Sequence, residues 1–432
     1  MLQRMARFVI EGGRPLRGAI PVLGNKNAAL PMLAATLLTE APVTLRNVPD
    51  ILDVRVMCEL LASLGVAVEC DGARLTLCAR DAAPRPLDPG LCRKVRASLL
   101  LAGPLAARFG RAELPPPGGD VIGRRRLDTH RLGLAALGLE ADARPDGRLV
   151  FTRGRLRGAD LLLDEASVTA TENLLMAAVL AEGRTVLFNA ACEPHVVELG
   201  RLLAAMGARI EGLGTNRIVI DGRPALGGAE AAVGPDFVEA GSFLAAAAAT
   251  GGELRLEGPP EPGLLRGIAR SFAKLGVAWT VEPDGAVRLP AAQERRVRRD
   301  LNGATPKIED GPWPAFPSDL MSATILLATQ VEGAVLFFEK MFESRMYFVD
   351  ELIGMGAEII ACDPHRVLVN GPSRLHATRL TSPDIRAGMT LILAALCAEG
   401  RSVIENAESI DRGYERIEER LGALGAVIAR EA

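Results

Sequence analysis

LLASLGVAVE, residues 60–69, decides how this chain folds, because the phrase returns five more times. An apolar helical stretch closes on Leu or Met, a glycine follows, and then comes a run that alternates as a strand does. The other copies are LAALGLEADA (134–143), LLAAMGARIEG (202–212), SFAKLGVAWTV (271–281), ELIGMGAEIIA (351–361) and RLGALGAVIA (420–429). Their glycines, Gly65, Gly138, Gly207, Gly276, Gly356 and Gly425, are spaced by 73, 69, 69, 80 and 69 residues.

A second phrase falls between the markers: a helix, a turn, then a strand. It reads MLAATLLTEAPVTLRNV (32–48), LLLAGPLAARFGRAEL (99–114), LLMAAVLAEGRTVLFN (174–189), FLAAAAATGGELRLEG (243–258), ILLATQVEGAVLFFEK (325–340) and ILAALCAEGRSVIENA (392–407). Glycine at the junction suits the left-handed residue that ends a helix. The repeated unit is therefore helix, strand, turn, strand, helix, strand. Six such units divide naturally into two domains of three. The Ala- and Leu-rich helices are apolar nearly all round, which predicts burial inside a ring of sheets. The expected fold class is α/β, a two-domain inside-out α/β barrel of six repeated units with buried helices.

The 432 residues suffice for two or three cores. A net charge of −3 gives no chain-wide field for a nucleic-acid backbone, and two Trp with two Tyr offer few stacking platforms. Seven scattered cysteines without a Cys-x-x-Cys pair read as free thiols in a reducing cytoplasm. MLQRMARFVIEGG (1–13) reaches charge and glycine before a signal-peptide core forms, and no apolar run is long enough for a membrane helix. The expectation is a cytoplasmic protein without nucleic-acid or membrane partners. Lysine stands only at positions 26, 94, 274, 307 and 340, so a lysine in a special place carries information.

Walker A, GxGxxG, HExxH and paired metal-binding cysteines are all absent, and the lone Cys192 to His195 pairing lacks a second pair, so neither metal nor cofactor is expected. Polar phrases interrupt the repeats instead. In LGNKNAALPML (23–33), Lys26 stands at the start of a helix, where the dipole is already positive, and both together suit an anion. The plainer alternative is an Asn cap with a solvent-facing lysine. ELPPPGGDVIGRRRLDTH (113–130) is a stiff-ended loop carrying Asp120 before Arg124, Arg125 and Arg126, in the manner of a lid over an anion. A solvated loop with Asp120 paired to a neighbouring arginine is the other possibility. GPWPAFPSDL (311–320) presents Asp319, either as a functional carboxylate or as a helix cap. Arg345, Asp384 with Arg386, and Asp411 with Arg412 follow, and Arg412 is expected in a first helical turn, which repels cations. Several arginines set against local preference point to one multiply charged ligand held between two halves, with two aspartates available for proton transfer.

GNKNAALP, VRASLLLAGPLAARFG, PGGDVIG with DTH, EASVTATEN, PAFPSDL, MFESR, DIRAG and IDRGYERIEERLGALGA resemble, in order and spacing, the UDP-N-acetylglucosamine enolpyruvyltransferase (MurA) family. The resemblance covers essentially the whole chain. It implies a first domain at 23–237 carrying the lid 113–126, a second made of 1–22 plus 238–432, and closure of the two over substrate. It implies transfer of the enolpyruvyl group of phosphoenolpyruvate to the sugar 3-hydroxyl with loss of phosphate. Lys26, Asn27, Arg125, Arg345, Arg386 and Arg412 would hold phosphoenolpyruvate. Arg96, Arg126, Leu127, Asp128, Thr129, Ser167, Val168, Asp319 and Met341 would hold the UDP-sugar. Asp319 would be the general base and Asp120 the general acid, with Lys26 the third catalytic residue.

This sequence departs from the family's pattern at several places. Asp120 replaces the cysteine common in the lid, so insensitivity to the epoxide antibiotic fosfomycin is expected. Arg125-Arg126-Leu127-Asp128-Thr129 where the family commonly has Arg-Pro-Val-Asp-Leu, Glu165 before Ser167, Phe237 after Asp236, and Leu-Met-Ser after Asp319 are the departures around the nucleotide. An enolpyruvyltransferase for a different nucleotide acceptor, or a non-catalytic paralogue that binds UDP-sugar, are the alternatives. Asp319→Ala and Asp120→Ala are expected to abolish turnover with folding intact. The oligomeric state is left open.

Overall fold

The structure, a computed structural model, describes residues 6–431, so the reading of the N-terminal segment is followed from residue 6, residues 1–5 lying outside the described residues. All six marker glycines adopt positive φ, from 67° at Gly276 to 104° at Gly207. At five of them the next amide reaches back over the helix end, as Val66 N–H to the carbonyl of Leu61 and Ala208 N–H to that of Leu203. That is the cap a left-handed glycine permits, and it turns each outer helix sharply into a strand.

The second phrase builds the interior. Its helices are α1 (Lys26–Ala35), α2 (Ala102–Phe109), α3 (Val168–Ala178), α4 (Phe237–Ala249), α5 (Met321–Thr329) and α6 (Ile385–Cys397). Every residue of α4 and α5 is buried, and all of α6 except Cys397. Helices α4, α5 and α6 pack on one another. In the other unit α2 packs on α3, and the 3₁₀ turn Arg96–Leu101 that opens α2 packs on both α1 and α3. Small alanine side chains let the helices approach, while each fully buried leucine contributes roughly 1.5–3 kcal/mol.

Five four-stranded sheets and one three-stranded sheet surround these helices as separate ladders, so no continuous barrel of strands closes among the described residues. Three sheets contain a parallel pair flanking an inner helix: Asp160–Leu162 with Arg184–Phe188 across α3, Lys307–Glu309 with Gly333–Phe338 across α5, and Arg379–Thr381 with Arg401–Glu405 across α6. The strand before α1, Arg17–Pro21, instead pairs with Glu253–Glu257, which follows α4. Reciprocally, Ala229–Ala232 before α4 pairs with Val43–Arg46 after α1. The N-terminal strand Arg7–Glu11 lies between Arg401–Glu405 and Val427–Glu431.

Two compact units result. One is Gly24–Gly119 with Arg125–Gly234, and the other is the chain up to Leu23, Asp120–Arg124, and the chain from Pro235. Each has its own apolar core. The crossings after Leu23 and Gly234 explain the exchanged strands: each strand stays with one unit while the helix it leads into belongs to the other. The three-stranded sheet, Arg111–Leu114, Leu149–Arg153 and Leu139–Ala143, lacks a parallel edge strand. Ahead of α2 the chain forms the helix Pro89–Lys94 and the Arg96–Leu101 turn instead, and Gly118 of the proline-rich loop donates its N–H to the carbonyl of Cys92 there. All seven cysteines are free, and among the described residues no helix is long and apolar enough to cross a membrane.

Candidate active site

In the unit from Pro235 onward, two of the three inner helices are capped by an aspartate. Asp236 caps α4 by accepting from the amides of Val238 and Glu239, and Asp384 caps α6 by accepting from those of Arg386 and Ala387. Asp319 is not the cap of α5. It lies in a 3₁₀ turn, Ser318–Leu320, and its carboxylate points at side chains instead. Arg345 Nη2 donates to its Oδ1 at 2.7 Å, and Arg386 Nε and Nη2 donate to its Oδ2 at 3.1 and 2.9 Å. The two arginine side chains are 4% and 5% exposed whereas Asp319 is 28% exposed, so the aspartate is the member a substrate can reach.

Burial works against the charge of Arg386, but Asp319, Tyr414 and Asp236 hold its pKa above the ordinary arginine value. Its Nη1 also donates to the Tyr414 hydroxyl at 3.2 Å. Burial raises the carboxyls of Asp236 and Asp384, opposed by Arg386 and Arg345 respectively. Asp120 raises Asp384 further, which brings the lid aspartate beside this cluster.

Asp120 pairs with Arg412 at 2.5 Å, not with the arginines that follow it in sequence. Arg412 corrects the sequence reading. The helix there is Glu408–Asp411, so Arg412 sits at its C-terminal end, where a cation is favourable, and Asp411 pairs with Arg430 instead of capping. The next helix starts only at Ile417, after Arg416 adopts a left-handed φ of 41°. The loop segment 120–124 is tied down within this unit: Ser344 N–H donates to the carbonyl of Ile122 at 3.1 Å, and Arg124 N–H to Glu343 Oε2 at 3.2 Å. For that reason Asp120–Arg124 group with the unit from Pro235, while the flanks of the 113–126 loop stay with the other.

The second set of residues lies in the unit Gly24–Gly119 with Arg125–Gly234. Asn25 caps α1, accepting from the amides of Asn27 and Ala28, so Asn27 is held in the first turn. Lys26 does not face solvent: its ammonium pairs with Asp53 at 2.9 Å, with the two side chains 11% and 4% exposed. Arg96 opens the 3₁₀ turn into α2 and donates to the backbone carbonyl of Arg125 at 2.9 Å. Burial lowers the pKa of Arg96. Ser167 caps α3 and Val168 begins it. Lys26 with Asn27, Arg96, and Ser167 with Val168 thus stand at or just before the N-termini of α1, α2 and α3, and in the other unit Asp319 and Arg386 do so at α5 and α6, the helix ends that favour anions, whereas Arg345 and Arg412 do not.

Other predicted residues form a separate network. Arg126 pairs with Asp128 at 3.1 Å and Asp164 at 3.4 Å, and the Thr129 hydroxyl donates to Asp164 at 2.6 Å and Glu165 at 3.1 Å. Leu127 precedes the helix Asp128–Ala136 and packs partly on the core. Met341 is exposed, with its amide donating to Glu339 Oε1 at 3.2 Å. Cys192 and His195 join no group of metal-binding side chains, none being present among the described residues. Sequence reasoning missed Asp53, Glu339, Asp310 and Tyr414. Of these Tyr414 stands inside a polar phrase already singled out and Glu339 at the end of one of the repeat phrases; Asp53 and Asp310 lie in runs that read as ordinary helix surface or strand end.

A family model described as EPSP synthase (3-phosphoshikimate 1-carboxyvinyltransferase) matches residues 10–421. Among solved structures, the enolpyruvyl transferase NikO from Streptomyces tendae matches with a TM-score of 0.86 and 26% identity over 99% of both chains. EPSP synthase from Acinetobacter baumannii matches with a TM-score of 0.74 at 19% identity over 99% of this chain and 100% of that one, a likeness of fold alone. Six sheets around buried helices are thus the fold this chain shares with those transferases. Two proteins called UDP-N-acetylglucosamine 1-carboxyvinyltransferase narrow the class. The one from Bradyrhizobium diazoefficiens is 55% identical over 427 residues, 98% of each chain, and the one from Treponema pallidum is 55% identical over 430 residues, 99% of this chain and 100% of its own. The chain belongs to the UDP-N-acetylglucosamine 1-carboxyvinyltransferase family.

Proposed function

We propose that the protein transfers the enolpyruvyl group of phosphoenolpyruvate to the 3-hydroxyl of UDP-N-acetylglucosamine and releases phosphate, the first committed step of peptidoglycan synthesis. The observation that carries this reading is identity of 55% over nearly the full length to enzymes with that name.

In the proposed chemistry Asp319 accepts the proton of the sugar hydroxyl, whose oxygen bonds to C2 of phosphoenolpyruvate. Asp120 delivers a proton to C3, giving a tetrahedral adduct that still carries its phosphate. Loss of a proton from C3 and of phosphate from C2 then restores the double bond. Protonating Asp319 strips two buried guanidiniums of their counter-ion, so the transfer is favoured when the anionic phosphoenolpyruvate is there to replace that charge. Lys26, Asn27, Arg125, Arg345, Arg386 and Arg412 are proposed to hold phosphoenolpyruvate. Arg96, Arg126, Leu127, Asp128, Thr129, Ser167, Val168, Asp319 and Met341 are proposed to hold the UDP-sugar. We further propose that the enzyme works in the cytoplasm.

Phosphate release during incubation with both substrates tests the reading, and no release with that acceptor overturns it. A second reading, another nucleotide as acceptor, is favoured by one observation: the Thr129 hydroxyl is committed to Asp164 and Glu165, two acids that repel a diphosphate. Release only with other nucleotides would establish it.

A further inference from the structure

Parallel strands Lys307–Glu309 and Gly333–Phe338 run with Glu309 opposite Phe338, so the next residues, Asp310 and Glu339, leave the sheet together. Both are buried, at 1% and 0% exposure. Asp310 Oδ1 accepts from the amide of Lys340 at 2.6 Å, while its buried Oδ2 has no donor. Glu339 Oε1 accepts from the amides of Met341 and Phe342, each at 3.2 Å. The Ser318 hydroxyl lies 3.0 Å from both Glu339 oxygens and itself accepts from Arg345 Nε at 3.3 Å.

The cations nearby do not neutralise two carboxylates. Arg345 is turned toward the pair, but its Nη2 is committed to Asp319, and the Lys340 ammonium pairs with Glu309. His365 donates Nδ1–H to the backbone carbonyl of Glu339, not to its carboxyl. Adjacent buried carboxylates of like charge do not both ionise. One proton held between them removes the repulsion and gives Asp310 Oδ2 its missing donor.

We propose that Asp310 and Glu339 are a proton-sharing pair that positions the site: through Ser318 it holds the Arg345 that grips Asp319, and through two amides it holds the turn bearing Met341. Neither residue touches the reacting atoms, and the inference rests on the reading of Asp319 as the base. Burial, and after it the Asp310 carboxyl nearby, push Glu339 up to about 9, in keeping with a retained proton.

Two measurements test it. Between the ordinary glutamate value of 4.5 and about 9 the folded protein keeps a proton that the unfolded chain releases, so the melting temperature should fall as pH rises through that window. Glu339→Gln, a neutral mimic of the protonated acid, should flatten that slope, and Asp310→Asn should do the same from the other side. In turnover, kcat of the parent should decline above about pH 9 as the shared proton leaves. Glu339→Ala should lose about 10²-fold in kcat at neutral pH through misplacement of Arg345, and Glu339→Gln should restore it without the alkaline decline. A Glu339→Gln variant with the parent's slope and the parent's alkaline limb overturns the pairing, as does full turnover by Glu339→Ala. If the parent itself releases no phosphate, the functional reading fails while the melting slopes still decide whether the pair exists.

Discussion

Replacing Asp319 by asparagine keeps the shape of the side chain and removes its charge. Arg345 and Arg386, 4% and 5% exposed, then face each other without their shared carboxylate. Breaking a buried ion pair by removing one partner costs about 3–5 kcal/mol. Asp319 is 28% exposed, so water screens part of the loss and the lower end applies. At roughly 2–4 °C per kcal/mol for a domain of 150–250 residues, about 3 kcal/mol lowers the melting temperature by about 6–12 °C. Structure here revises the expectation that Asp319 substitution leaves folding untouched: the fold survives, with a smaller margin. Sulfate should recover part of the loss by lodging between the guanidiniums, because a ligand of the folded state stabilises by mass action. Losing the proton acceptor should lower kcat by about 10²–10⁴. Scanning calorimetry with and without sulfate, alongside phosphate release, measures both effects. A variant melting within the error of the parent and indifferent to sulfate would refute the buried-charge reasoning, and undiminished kcat would remove Asp319 as the base.

Asp53→Asn should weaken phosphoenolpyruvate binding by loosening the Lys26 ammonium it holds at 2.9 Å, raising the dissociation constant measured by calorimetry while kcat changes less. Asp120→Cys should become open to alkylation by fosfomycin, with a mass adduct at residue 120, whereas the parent shows none; an adduct at Asp120 itself would contradict the expectation. Gly123→Ala should free the loop and lower kcat, since φ is 125° and a Cβ would lie 2.2 Å from Glu343 Oε2; faster proteolysis within 115–127 is the check. His130 is buried and burial lowers its pKa to about 3, so it stays neutral where the unfolded chain gains a proton. Its contribution is intact above about 6.5 and is lost as pH falls toward 3, so His130→Gln should flatten the acid side of the stability curve.

The repeat was legible because it is written in local chemistry. A glycine at the end of each outer helix has to take a left-handed φ, and the inner helices are apolar on every side, so period and glycine spacing together betray units, helices and burial. The exchange of edge strands was not legible. Arg17–Pro21 and Ala229–Ala232 are short strands with little apolar signature, and nothing local says which parallel neighbour each will meet. The misreading of Arg412 has a similar origin: Asp411 resembles a cap, and only the packed helix Glu408–Asp411 shows that the end there is the cation-friendly one.

What the amino-acid sequence determined by itself was the set of elements, their sixfold recurrence, and which phrases interrupt the pattern, because propensity, periodicity and capping act over a few residues. Charge partners were decided only by the tertiary structure. Lys26 finds Asp53, Asp120 finds Arg412, Asp319 is held by two arginines 26 and 67 positions away, and Asp310 meets Glu339 at the end of paired strands. Electrostatic pairing depends on distance in space and on exclusion of water, and neither quantity exists until the inner helices of each unit have packed.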